Sequence, residues 1–323
     1  MNQDNKTEGY RPLADCESEG YLHSDTKEST ILTKKQRAPV KLIVFDLDGT
    51  LLNPQQFVSK RNMQAMDALR AAGIGFTLAS GRTEQHMRLF AEQINVELPI
   101  IACNGAVIYD HKRRQDVYRK QMSEQLSSEV LDHLLANQLD FLCYMADGVM
   151  HPEYSRKVEV MRLYNAKAAA EGSEQIQTAV LTADGVRSAA RRGMVKILAL
   201  YDTPTEKALL EELAARHSAT VIASMSGAID VMAPEVSKGT GMVQLARILG
   251  FGLENTVAFG DHDNDASMIS LAGIGFAMGE ATPAAKARWQ ILLLPIVPMM
   301  GLPLRLRNIS CLAFSDKSDK PVI

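Results

Sequence analysis

The run KLIVFDLDGTLL, residues 41–52, is apolar until two aspartates, Asp46 and Asp48, interrupt it. A buried carboxylate without a counter-charge is costly, so two of them at the mouth of a core call for a cation or a reaction. Strand period turns residues two apart toward one face, although the chain is expected to curl off the strand by Asp48. Two further apolar runs end in polar groups, LASGR at 78–82 and FGDHDND at 259–265. In an open parallel sheet, ligands bind at the carboxyl ends of strands, so such ends converge on one crevice. A lone aspartate there is as readily a cap as a ligand, but several ends with complementary chemistry point to a site. Asp46, Asp48 and Asp261 together crowd negative charge that a hard divalent cation such as Mg2+ relieves, with waters or a phosphate oxygen completing its shell. Ser80 and Gly81 are expected at the start of a helix, where backbone N–H groups and the dipole favour an anion. Lys238 opens another helix and adds a mobile positive charge. Metal, lysine and helix N-terminus together describe a phosphate cradle.

The elements that must hold these residues are legible around them. VKLIVFDLD (40–48) is an apolar run without helical period. KRNMQAMDALRAA (60–72) has helical spacing and stops at Gly73. IGFTLAS (74–80) reads as a second strand, GRTEQHMRLFAEQI (81–94) as the opening of a second helix, and LPIIACNGAVIYD (98–110) as a third strand with a turn. Alternation of strands and helices predicts a parallel sheet with crossover helices. Residues 111–225 are more charged; helical SEQLSSEVLDHLLANQ (123–138) alternates there with strands such as MVKILALYD (194–202) and TVIASMS (220–226). The first style then returns with KGTGMVQLARILG (238–250), NTVAFGD (255–261) and GIGFAMG (273–279). One α/β domain is therefore split by an inserted α/β segment.

The stretches DLDGT, LASGR, SKGTG and GDHDND, in this order, resemble the motifs of the haloacid-dehalogenase-like (HAD) phosphohydrolases, and the large insert between the second and third resembles the Cof-type (IIB cap) branch. The resemblance covers about residues 40–288. It implies a Rossmann-like doubly wound parallel-sheet core at 40–118 and 228–288, with an inserted cap domain at 119–227 acting as a lid. It implies a Mg2+-dependent phosphatase acting on a small phosphorylated metabolite, a sugar phosphate or phosphorylated cofactor. Asp46 is then the nucleophile that forms an aspartyl-phosphate, and Asp48 the general acid/base, whose carbonyl also binds the metal. Asp261 is the third metal ligand. Ser80, Gly81, Lys238, Asn264 and the amide of Leu47 bind phosphate, and Asp265 holds Lys238 or a metal-bound water. For Asn264 and Asp265 an Asx turn capping the next helix is the plainer reading. A phosphomutase or phosphotransferase, and an inactive phosphate-binding relic, are the alternatives.

Composition narrows the class. The chain has 323 residues, 46% hydrophobic and 23% charged, with a net charge of −3 and no basic block of the kind nucleic-acid binding needs. Residues 1–39 are polar, without the apolar core of a secretory signal, and are expected to be a flexible tail. The apolar run Ile291–Leu304 is short and broken by Pro295, Pro298 and Pro303, so no membrane span is expected. Cys16, Cys103, Cys143 and Cys311 are scattered, which fits free thiols and a cytoplasmic protein. His262 reads as a solvated loop residue, Arg187, Arg191 and Arg192 as a solvated helix face, and Asn104 as a turn former. Beyond Arg288, WQILLLPIVPMMGLPLRLRN (289–308) departs from the resemblance, so residues 289–323 read as a frameshift product. Read from the third base of each codon, Trp289-Gln290 gives Ala, Met299-Met300 gives Asp and Met300-Gly301 gives Gly. A permitted choice elsewhere restores a strand, a DDGV turn and a helix.

Overall fold

The structure is a computed structural model that describes residues 38–53, 56–170, 172, 174–278, 281–283 and 291–292. The expected tail and almost all of the proposed frameshift product lie outside the described residues. In chain order the elements are β1 (Leu42–Asp46), α1 (Lys60–Ala71), β2 (Gly75–Ala79), α2 (Glu84–Gln93), β3 (Ile100–Ala102), β4 (Val107–Asp110) and β5 (Gln115–Arg119). The insert follows with α3 (Glu124–Ala136), β6 (Phe141–Met145), β7 (Val149–His151), α4 (Val158–Ala170), β8 (Thr178–Val180), α5 (Val186–Arg192), β9 (Met194–Leu200), α6 (Pro204–Arg216), β10 (Thr220–Met225) and β11 (Ala228–Met232). The chain then continues through α7 (Lys238–Ile248), β12 (Thr256–Gly260), α8 (Ala266–Leu271), β13 (Ile274–Ala277) and β14 (Ile291–Leu292).

The strands make two sheets, one ordered β14-β13-β12-β1-β2-β3-β4-β5 and the other β10-β11-β9-β6-β7-β8. β1 lies between β2, next in sequence, and β12, which arrives after the whole insert, and it pairs parallel with both. The direction of winding therefore reverses at β1, and its carboxyl end is the switch point where open α/β sheets bind ligands. β11 is a strand of the second sheet, so the return to the first sheet begins beyond Met232.

β1 is buried on both faces, as a central parallel strand must be. Ile43 and Phe45 pack with Met66, Leu69, Met87 and Ala91 of α1 and α2. Leu42 and Val44 pack with Met242 and Leu245 of α7 and Met268 of α8. Phe45, Phe259 and Phe276 are register partners and stack across β1, β12 and β13 at 5.1 and 4.7 Å. Asp46 continues the parity of Leu42 and Val44, toward the layer that contains α7.

Two local expectations are corrected. LPIIACNGAVIYD is two antiparallel strands, not one, and β4 and β5 make an antiparallel edge on a sheet expected to be parallel. The chain first reverses in the turn between β3 and β4, where Cys103, Asn104 and Gly105 have φ of +48°, +53° and +97°. The second helix opens at Glu84, capped by Thr83, so Ser80 and Gly81 belong to the loop before it.

Candidate active site

Lys238 is the first residue of α7, whose N-cap is Ser237, and it is 1% exposed. Its Nζ lies 2.6 Å from Asp46 Oδ1 and 2.6 Å from Asp265 Oδ1. The other oxygen of Asp265 accepts from the backbone N–H groups of Asp261 and His262, both at 3.0 Å. Asp265 therefore reaches back to tie the loop after β12 and also holds the lysine; the Asx cap expected on the next helix is not formed, since α8 has no side-chain cap. Asp261 accepts from Thr50 Oγ1 at 3.0 Å and lies 2.6 Å from His262 Nδ1. His262 is thus more than a solvated loop residue; its ring is exposed, but it touches a buried carboxylate.

One oxygen from each of Asp46, Asp261 and Asp265 falls within 4.8 Å of the others. Burial, then the charge of Asp265, pushes the Asp46 carboxyl well above its ordinary range, against the pull of Lys238. Burial also raises Asp261. Lys238 moves up as well, because Asp265 and Asp46 outweigh its own desolvation, so it keeps its proton. One ammonium among these carboxylates leaves the site short of positive charge, and an all-oxygen donor set suits a hard divalent cation. Both oxygens of Asp265 are committed, and those of Asp261 are engaged by Thr50 and the exposed His262, so a cation held by Asp46 and Asp261 would take the place of the His262 ring. Gly49, at φ +83°, keeps the turn close: a Cβ there would lie 2.2 Å from Asp261 Oδ2.

Asp48 diverges from Asp46, as the curl off the strand anticipates. It faces Arg82, which donates from Nε to Oδ2 at 2.8 Å and from Nη2 to Oδ1 at 2.6 Å, and which also donates to Gln56. Burial works to raise the Asp48 carboxyl, but the Arg82 hydrogen bonds and charge prevail and hold it below its ordinary value.

Ser80, Gly81 and Asn264 meet Asp46, Asp48 and Lys238 around one cavity of about 730 Å³. The loop after β2 is fixed by the Cys103–Gly105 turn: Asn104 N–H donates to the Ser80 carbonyl at 2.9 Å and Cys103 N–H to that of Arg82 at 2.8 Å. Asn264 Nδ2 donates to Asn104 Oδ1 at 3.0 Å, so Asn104 is part of the site wall as well as a turn former. Leu47 buries its side chain in the core and accepts from the Leu51 and Leu52 N–H groups through its carbonyl. Arg191 and Arg192 remain on the surface, facing Glu124 and Asp147.

A sequence pattern of the haloacid dehalogenase-like hydrolases matches residues 43–293. The chain belongs to that family. Among its HAD-like relatives is a pyridoxal phosphate phosphatase of Escherichia coli, 28% identical over 78% of this chain and 93% of its own. A 5-amino-6-(5-phospho-D-ribitylamino)uracil phosphatase of Bacillus subtilis is 26% identical over 77% and 91%. A solved HAD-like hydrolase from B. subtilis superposes with a TM-score of 0.65 at 25% identity, covering 78% and 94% of the two chains. Residues 294–323 fall outside the family match.

Arg82, Thr50, Lys196 and Asp230 are site residues that sequence reasoning did not single out. Arg82 stood inside a quoted motif, and Lys196 and Asp230 each interrupt an apolar strand, in MVKILAL and AIDVM. A charge in the middle of such a run was the available signal.

Proposed function

We propose that the chain is a Mg2+-dependent phosphatase that hydrolyses a small phosphorylated metabolite through a phosphoryl group carried on Asp46. The observation that carries this reading is the convergence of Asp46, Asp261, Asp265 and Lys238 at the switch point of the sheet, beside one cavity. Phosphatase relatives acting on pyridoxal phosphate and on a phosphoribitylaminouracil support the substrate class.

In the first half-reaction an Asp46 oxygen bonds to phosphorus while the bond to the leaving oxygen breaks, and Asp48 gives that oxygen its proton. In the second, Asp48 takes a proton from water, the water oxygen bonds to phosphorus, and the bond to Asp46 breaks, releasing inorganic phosphate. Lys238, Ser80, Gly81, Asn264 and the Leu47 amide hold the non-bridging oxygens, where positioning and charge stabilisation do most of the work. Mg2+, held by Asp46, Asp261 and the Asp48 carbonyl, supplies further neutralisation of the phosphoryl charge. Arg82 keeps Asp48 ionised, so Asp48 must loosen from it to carry a proton. The insert, which runs from α3 through β11, serves as the lid that excludes bulk water.

The test is release of phosphate from 4-nitrophenyl phosphate with and without Mg2+, beside Asp46→Asn. Turnover that needs both the metal and Asp46 is expected, with Asp46→Asn down by at least about a thousandfold. Transfer to an added sugar without net release would favour a phosphomutase. Thermal stabilisation by phosphate without turnover would favour the relic.

A further inference from the structure

The loop that carries Ser80 and Gly81 is held from two sides. From its own sheet, the N–H groups of Cys103 and Asn104 donate to the Arg82 and Ser80 carbonyls at 2.8 and 2.9 Å. From the insert, Lys196 of β9 donates from Nζ to the Gly81 carbonyl at 2.9 Å. The same Nζ donates to Asp230 Oδ2 of β11 at 2.9 Å and lies 4.8 Å from the centre of the Tyr144 ring. Burial alone would lower the Lys196 ammonium, but the charge of Asp230 outweighs it and raises it above its ordinary value, so Lys196 keeps its proton. Asp230 is fixed in turn, because Asn104 Nδ2 donates to that same Oδ2 at 3.2 Å. The ammonium is therefore a charged donor with little freedom, set against one peptide group of the loop after β2.

That peptide joins Gly81 to Arg82. Its carbonyl meets Lys196, and its N–H, which belongs to Arg82, donates to Ser80 Oγ at 3.2 Å. This is the turn in which a serine hydroxyl accepts from the backbone two residues on. A hydroxyl has one proton to give and two lone pairs to receive with. With a lone pair taken by the Arg82 N–H, the Ser80 O–H is left as a donor, and no acceptor among the described residues takes it. Ser80 lines the cavity beside Asp46 and Lys238. A peptide whose carbonyl accepts from a cation also offers a stronger N–H, since hydrogen bonds in a chain polarise one another.

We propose that Lys196 is a positioning residue for phosphate: it acts from the insert, through the Gly81–Arg82 peptide, to hold the Ser80 hydroxyl as a donor to a phosphate oxygen. The inference rests on the phosphate site of the phosphatase reading and adds a route by which the insert sets the affinity of that site. Seating of the lid and capture of phosphate are then linked, because a lid that lifts takes Nζ away from the Gly81 carbonyl.

The experiment uses the full chain with Mg2+ and measures the Kd for inorganic phosphate by titration calorimetry, beside kcat/KM for 4-nitrophenyl phosphate. Lys196→Met with Asp230→Leu removes the ammonium without stranding its partner. Lys196→Gln with Asp230→Asn, whose glutamine amide ends one bond short of the Nζ position, serves if the first pair does not fold. Ser80→Ala should raise the Kd by about tenfold. The pair variant should raise it by at least about threefold when Ser80 is present, and by less than about 1.5-fold in the Ser80→Ala background, since a residue that acts only through another then has nothing to act on. Equal factors in the two backgrounds, as packing or a direct contact with phosphate would give, overturn the inference; so does a pair variant whose Kd is unchanged. No phosphate binding by the wild type sinks both readings. Binding without turnover sinks the phosphatase reading and leaves this one to the Kd values, whereas turnover with equal factors sinks only this inference.

Discussion

Asp46 and Asp48 are the same residue type two positions apart, yet their surroundings push them in opposite directions. Asp46 is raised by burial and by neighbouring carboxylates, whereas Asp48 is held down by Arg82. Different environments for paired carboxyl groups are how acid, base and nucleophile roles separate. The Arg82 clamp has a testable consequence. In the proposed mechanism Asp48 acts protonated in the first half-reaction and ionised in the second, so lifting its pKa would move both limits upward. Arg82→Ala should therefore shift the pH optimum of hydrolysis to higher pH, read from pH profiles of kcat and kcat/KM. An unchanged profile would show that Arg82 does not set the protonation of Asp48. The motif aspartates, Lys238 and Asn264 were readable because their chemistry is local to short stretches. Arg82 as the partner of Asp48 was not, since that contact depends on where the chain curls after Asp46.

At the scale of elements, α1, α3 and α7 were legible from their helical spacing, and Ser59, Ser123 and Ser237 cap them, whereas α4, α5, α6 and α8 were not singled out. The antiparallel edge was not legible: Asn104-Gly105 announced a turn, but left-handed φ at Cys103 is not implied by its residue type. Nor was the Lys196–Asp230 pair, which exists only once β9 and β11 adopt their register. The pair is buried on both sides, with side chains 7% and 2% exposed. Removing one partner strands the other charge away from water. Lys196→Met should cost about 3–5 kcal/mol in denaturant unfolding, and the double change Lys196→Met with Asp230→Leu should recover much of it. Equal losses in the single and double variants would show that the pair contributes by packing alone.

At the scale of the whole molecule, the two sheets share one hydrophobic cluster that runs from Phe45 and Met87 to Leu142, Tyr144 and Leu198. His86 lies in this region, edge-on to Tyr164 of α4 at 4.6 Å, with Nδ1 at 2.7 Å from Thr83 Oγ1 and a buried, unpartnered Nε2. Burial, then the charge of Arg82, lowers it from 6.5 to about 4. The folded protein therefore refuses a proton that the unfolded chain accepts below about pH 6.5, and stability falls as pH falls through that window. The loss from this group reaches about 2 kcal/mol by pH 5. His86→Gln should lose less stability than the wild type between pH 7 and pH 5 in thermal or urea unfolding; parallel curves would rule His86 out as the cause. For the frameshift reading of residues 289–323, independent resequencing of the gene decides, and an intact frame ends it. A last consequence follows from the position of β1 between β2 and β12. A ribosome releases Asp46 long before it makes Lys238 and Asp261, so the growing chain carries an unfinished central sheet with one side open. The insert's own sheet is complete first and is free to fold while the other sheet waits for β12, so Asp46 meets its partners Lys238 and Asp265 only after the insert has been made.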